Sequence, residues 1–175
     1  MSRVHRLRTA DRVFFITVNL RASLSPFTAA EYALILESFQ ESRRRLGFLL
    51  CGYVLMPDHW HGLFWPRYPL GISRLVQDIK YVSSRRLNRH RGSSGSLWQH
   101  QFWDRFVRHA KEFNDRLMYM HLNPVRKGLV ARPALGNRIS SPLATWHLSL
   151  FFMAVVELPE FQPGGIGASG VPDSD

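Results

Sequence analysis

The sequence predicts an α+β domain built on a ferredoxin-like antiparallel sheet in the order β-α-β-β-α-β, with one additional helix after it. Three observations carry this expectation. Strand-like runs rich in β-branched and aromatic residues recur at Val13–Leu20, Phe48–Met56, His59–Trp65 and near Trp103–Arg108. Helical periodicity fills the interval after the first run and the interval after the third. Only Pro57-Asp58, which is turn chemistry, separates the second run from the third, so these two form a hairpin. That order places helices on one face of an antiparallel sheet and puts the first and third strands at its centre.

Local signals support each element. Thr28 and Glu31 have capping-box spacing and open the first helix. Tyr32, Ile35, Leu36, Phe39 and Leu46 form its apolar stripe, Arg43-Arg44-Arg45 suit its C-terminus, and Gly47 stops it. Gly71–Arg91 is the second helix, with Ile72, Leu75, Val76, Ile79 and Val82 facing the core. Gly92–Ser96 is a flexible loop, and Lys111–Leu122 is the third helix, buried through Phe113, Leu117 and Met120. We expect one main domain over residues 1–132, a C-terminal extension over 133–158 that packs as helix or strand, and a disordered Gly/Pro/Ser-rich tail over 159–175.

Composition narrows the function. The chain has 175 residues, 23 Lys plus Arg against 13 Asp plus Glu, and a net charge of +10, which points to a polyanionic partner, nucleic acid first. Its 13% aromatic content suits stacking on unpaired bases. The second helix carries Lys80, Arg85, Arg86 and Arg89 toward its C-terminus, and Arg126-Lys127 follow the third; these form the expected DNA-binding set, with a solvated basic face as the bland alternative. The single cysteine, Cys51, excludes an internal disulfide and a cysteine-based zinc site and fits a buried thiol in a reducing compartment. No apolar run is long enough to span a membrane, and the N-terminus lacks a secretory signal, so the expected location is cytoplasmic.

Two stretches carry candidate chemistry. In His59-Trp60-His61, the period of a strand puts both imidazoles on one face, where they form a clamp for a divalent metal. With 8 histidines in 175 residues, roughly 0.4 such pairs arise by chance, so the pair alone equally fits two half-buried histidines. In the second stretch, Tyr119 and Asn123 are four residues apart and share a helix face if the helix extends that far. They flank the core stripe. Asn123 also reads as the N-cap of a short next helix, with Pro124 at its first position.

Together YVLMPDHWHGLF, LWQHQFWDRFVR and YMHLNPVRKGLV resemble the single-tyrosine HUH transposases, and most nearly their REP-associated branch. The resemblance runs from about Val13 to Val130. It implies that His59 and His61, with Asn123 one helical turn after the tyrosine, bind Mg²⁺ or Mn²⁺. It also implies that Tyr119 attacks single-stranded or hairpin DNA, leaving a 5′-phosphotyrosine and a free 3′-hydroxyl, and that rejoining needs no ATP. Bacterial, nucleoid-associated location and a monomer or homodimer are implied in the same way. Departures exist: relatives often have glutamine at the place of Asn123 and asparagine at the place of Asp58, and the chain after Gly128 is unlike the usual ending. A phenol keeps its proton at neutral pH, so Tyr119 needs positioning and a proton acceptor to react. Tyr81, on the second helix, is the rival nucleophile. Two other classes fit the composition: a non-catalytic single-strand binder, and a hydrolase that uses the histidine pair and water.

Overall fold

The computed structural model describes residues 12–132 and 153–154. The order is β1 (Phe14–Asn19), α1 (Ala29–Leu46), β2 (Leu49–Leu55), β3 (His59–Trp65), α2 (Ile72–Arg91), β4 (Trp103–Phe106), α3 (Ala110–Arg126) and β5 (Met153–Ala154). The strands lie in the order β4-β1-β3-β2-β5, and all pairs are antiparallel. This is the predicted ferredoxin-like arrangement, with β1 and β3 inside the sheet. Within the extension expected over 133–158, the described Met153–Ala154 pairs with Val54 and Tyr53 as an edge strand. The rest of that extension, the tail over 159–175 and the first eleven residues lie outside the described residues.

The predicted ends of α1 and the C-terminal end of α2 form. The backbone N–H of Thr28 donates to the Glu31 carboxylate at 2.7 Å, and Gly47 and Gly92 close α1 and α2 at φ 71° and 62°. Those left-handed conformations suit a residue without a Cβ.

The pleat of β3 divides the molecule. Trp60, Gly62 and Phe64 point to one face, where Phe39 of α1 packs edge-on against Trp60 and Phe64. The helix α2 lies beside α1 on this face and is pinned to it by ion pairs. Arg45 meets Asp78 at 2.6 Å, Arg86 meets Glu37 at 2.8 Å and Glu41 at 2.6 Å, and Arg91 meets Glu31. Gly62 is required here for space: a Cβ on it would fall 2.3 Å from the Phe64 ring.

The opposite face of β3 carries His59 and His61 and is covered by α3. The expectation of helices on one face therefore holds for α1 and α2, and the additional helix takes the other. A second correction concerns its length. The predicted break at Asn123 does not occur, and α3 continues through Pro124 to Arg126. Proline costs a helix one hydrogen bond and some ring crowding. Here it stands in the last turn, is buried, and is followed by a closing bond from Lys127 N–H to the Asn123 carbonyl at 3.0 Å. Asn123 is thus an interior helix residue, 4% exposed, and it fills the core edge rather than flanking it.

Candidate active site

Strand register assembles the site. On the face of β1 and β3 beneath α3, Thr17 pairs across the sheet with His61, and Asn19 with His59. On the other side of β1, Trp103 pairs with Thr17 and Arg105 with Phe15. One row of side chains therefore runs Trp103, Thr17, His61, Val54 across four strands.

The two imidazoles lie together, their ring centres 4.8 Å apart. Each is held through Nδ1: His59 by Asp58 Oδ1 at 2.6 Å, and His61 by Thr17 Oγ1 at 2.7 Å. When Nδ1–H donates to these oxygens, each ring keeps its lone pair on Nε2, the arrangement of a metal-ligating histidine with an orienting partner. Burial, and then the nearby His59, push the pKa of His61 down to about 3, so its ring is neutral at ordinary pH.

His61 Nε2 is buried and has no hydrogen-bond partner. Among the described residues Nδ2 of Asn123 is in the same state. An orphaned buried polar atom costs about 1–3 kcal/mol. Its presence on two residues of the predicted ligand set fits a bound cation as the missing partner. For Asn123 the fit requires the amide turned over, which exchanges Oδ1 for Nδ2 in nearly the same volume. Among the described residues no group of three or more His, Cys, Asp and Glu gathers as a metal site.

The helix α3 brings the tyrosine. Glu112, Arg116, Tyr119 and Asn123 follow one another at helical spacing along the side turned to the sheet. Tyr119 sits edge-on to His61 with ring centres 5.4 Å apart and edge-on to Phe15 at 6.0 Å. Phe15 in turn stacks on His61 at 5.4 Å. Tyr119 remains 37% exposed, so one edge of its ring is fixed while the site stays open to a ligand.

The other tyrosines are placed differently. Tyr32 and Tyr53 are buried, which pushes the pKa of each phenol up to about 12. Tyr68 is an exposed loop residue. Tyr81 is exposed on α2, in the helix layer on the far side of the sheet from the imidazoles.

The expected DNA-binding residues are not gathered at this site. Lys80, Arg85, Arg86 and Arg89 belong to α2, on the far layer. Two of them are engaged within the protein: Lys80 donates to the carbonyls of Gln99 at 2.6 Å and His100 at 2.9 Å, and Arg86 bridges Glu37 and Glu41. Arg85 and Arg89 are exposed, as are Arg126 and Lys127 just beyond Asn123. The sequence reading missed Thr17, Phe15, Trp103 and Arg116. Each joins the site through register or helix packing, and no local motif marks them.

Comparison with known proteins gives a consistent picture. Residues 14–110 match the family model described as "Transposase IS200 like", a stretch that includes both histidines and stops before Tyr119. The REP-associated tyrosine transposase of Escherichia coli (strain K12) is 26% identical over 149 residues, covering 84% of each chain. A second relative, from Haemophilus influenzae, is 23% identical over 140 residues, covering 74% of this chain and 80% of its own. Among solved structures, a REP-associated tyrosine transposase bound to a REP hairpin superposes with a TM-score of 0.61 at 26% identity, covering 75% of this chain and 77% of that one. With its predicted fold in place and more than half its length matched, the chain belongs to the IS200-like transposases, a family of tyrosine transposases that act as DNA strand transferases.

Proposed function

We propose that this transposase cleaves and rejoins single-stranded DNA beside a hairpin, with Tyr119 as nucleophile and His59, His61 and Asn123 as holders of Mg²⁺ or Mn²⁺. The observation that carries the reading is the contact between Tyr119 and His61, whose buried Nε2 has no partner among the described residues. The hairpin substrate is carried over from the REP hairpin in the related structure.

A divalent cation in this place supplies Lewis-acid polarisation of the scissile phosphate. The protein supplies the rest. Asp58 and Thr17 hold the two imidazoles in a single tautomer and orientation. Phe15 and His61 fix one edge of the Tyr119 ring, which limits the directions in which its hydroxyl points. In the reaction the Tyr119 oxygen bonds to phosphorus and its proton passes to water. The bond from phosphorus to the 3′-oxygen breaks, and that oxygen takes up a proton to become the free 3′-hydroxyl. The phosphotyrosine ester keeps the energy of the broken diester, so a 3′-hydroxyl attacking in reverse rejoins a strand without ATP.

For DNA outside the reacting centre, the candidates are Arg126 and Lys127 near Asn123 and the exposed Arg85 and Arg89 on the far layer. Lys80 and Arg86 are weaker candidates because their charged groups already have partners. Among the described residues no helix is long and apolar enough to cross a membrane. A cytoplasmic, nucleoid-associated protein acting as monomer or homodimer is the setting we assign.

The test is cleavage of a labelled hairpin with a single-stranded extension in Mg²⁺ or Mn²⁺. Wild type should cut, whereas Tyr119→Phe and His61→Ala should bind the same DNA and leave it intact. Full cutting by either variant contradicts its assigned role.

A further inference from the structure

We propose that Trp103 and Arg116 form a base-stacking subsite beside the reacting centre, which seats an unpaired nucleotide within a few positions of the scissile phosphate. The inference rests on the reading of Tyr119 as a nucleophile toward single-stranded DNA, and it deepens that reading by naming where the strand is gripped.

Four observations support it. First, Trp103 is 48% exposed on β4, at the edge of the sheet, although a ring of that size is ordinarily buried. Second, its register places it on the face of the imidazoles. It pairs with Thr17, which pairs with His61, so it lies two strands away, about 10 Å at ordinary strand spacing. A few nucleotides of single strand bridge such a gap. Third, one side of the Trp103 ring is already supported. Phe15 meets it edge-on at 5.8 Å, and the same Phe15 contacts both His61 and Tyr119, so the stacking surface and the nucleophile share one aromatic base.

Fourth, the surroundings are cationic. The Arg116 guanidinium lies 5.2 Å from the Phe15 ring centre and 5.9 Å from that of Trp103, one turn before Tyr119 on α3. It borders a cleft of about 310 Å³ lined also by Arg105, Arg108, His109, Glu112 and Asp115. The two carboxylates there are engaged, Glu112 with Arg105 at 2.8 Å and Asp115 with Lys111 at 3.6 Å. Among the described residues neither Arg108 nor Arg116 has a carboxylate at ion-pair distance, so two guanidinium groups stand open to phosphates. An exposed indole with the Arg116 guanidinium over its ring, beside a basic cleft, fits an unpaired base with its backbone. A duplex keeps its base faces covered, so single-stranded DNA is the partner of this chemistry.

The test uses the full chain in EDTA, so that binding is read without cleavage. The probe is a hairpin with a single-stranded extension, synthesised in versions with one abasic site at each position near the cut. Trp103→Ala should weaken binding of the intact probe roughly tenfold or more, the value of stacking one base. Trp103→Phe, which keeps a flat ring, should recover most of it. One abasic position should cost wild type a similar factor and cost Trp103→Ala nothing further. Arg116→Gln should lower the salt slope of binding by about 0.7, one phosphate on a single strand, while Trp103→Ala leaves the slope unchanged.

Binding by Trp103→Ala within twofold of wild type overturns the subsite. So do losses from the abasic site and from Trp103→Ala that simply multiply. If that happens while wild type still forms a tyrosine adduct, the subsite fails and the nucleophile reading stands. If the base–indole coupling appears while Tyr119→Phe still cuts, the subsite stands and the nucleophile reading fails.

Discussion

Replacing Thr17 by valine removes one hydroxyl from the site and keeps β-branching and strand preference. In the folded chain that hydroxyl is the partner of His61 Nδ1 at 2.7 Å. Two outcomes are open to the ring once it is gone. Nδ1 keeps its proton and leaves it buried against a methyl group, at a cost of about 1–3 kcal/mol. Otherwise the proton moves to Nε2, which ends its capacity to bind a cation. Either way, holding Nε2 ready for a metal becomes more expensive, and loss of such an orienting partner typically lowers metal affinity about 10- to 100-fold. The assay is calorimetric titration with Mn²⁺, with urea unfolding of the metal-free protein alongside. Thr17→Ser, which retains the oxygen, should bind Mn²⁺ nearly as wild type does. If Thr17→Val binds Mn²⁺ within twofold of wild type and unfolds within about 0.5 kcal/mol of it, the hydroxyl does not set the state of His61.

Three further predictions follow from the packing and the charge. Gly62→Ala should destabilise the fold by about 1–3 kcal/mol in urea, because the new methyl meets a Phe64 ring held among Phe39, Phe48 and Trp60; a change under about 0.5 kcal/mol contradicts the overpacking. Burial raises the pKa of Glu31, but hydrogen bonds from Arg91 and Thr28 outweigh it and leave the carboxyl below its ordinary value of 4.5. A lowered folded pKa means stability present above the unfolded value and lost as pH falls, so Glu31→Gln should flatten the fall in unfolding free energy below about pH 4.5. An unchanged acid limb in that variant rules the assignment out. Binding of single-stranded DNA should weaken steeply with salt, and Arg85→Ala with Arg89→Ala should lower the slope. Arg86→Ala should leave the slope alone and instead cost about 0.5–1 kcal/mol of stability through the lost pairs to Glu37 and Glu41. A slope that falls with Arg86→Ala puts its guanidinium on DNA.

What the sequence disclosed was what is encoded locally. Thr28 with Glu31, and Gly47 after an arginine run, are signals within one helix, and both ends formed as expected. The period of two placed His59 and His61 on one face without any knowledge of the partner strands. The site's supporting residues were hidden because they depend on register. Thr17 becomes a partner of His61 only when β1 pairs with β3 in this alignment, and Trp103 joins the same row only through β4. Asn123 misled because the cap signal before Pro124 is genuine chemistry, yet burial of Asn123 and Pro124 keeps the last turn of α3 intact. The basic run on α2 was legible only as charge. Sequence shows charges without their partners, and Arg86 and Arg91 meet carboxylates that α1 presents across the helix interface.

The central claim is that Tyr119 becomes covalently joined to DNA, and peptide mapping of the trapped adduct tests it most directly. Wild type incubated with a hairpin substrate and Mg²⁺ or Mn²⁺, then denatured and boiled, should retain DNA on the protein through a 5′-phosphate. Digestion should place it on the peptide containing Tyr119. DNA mapped to Tyr81, or cleavage with no DNA on any tyrosine, contradicts the account.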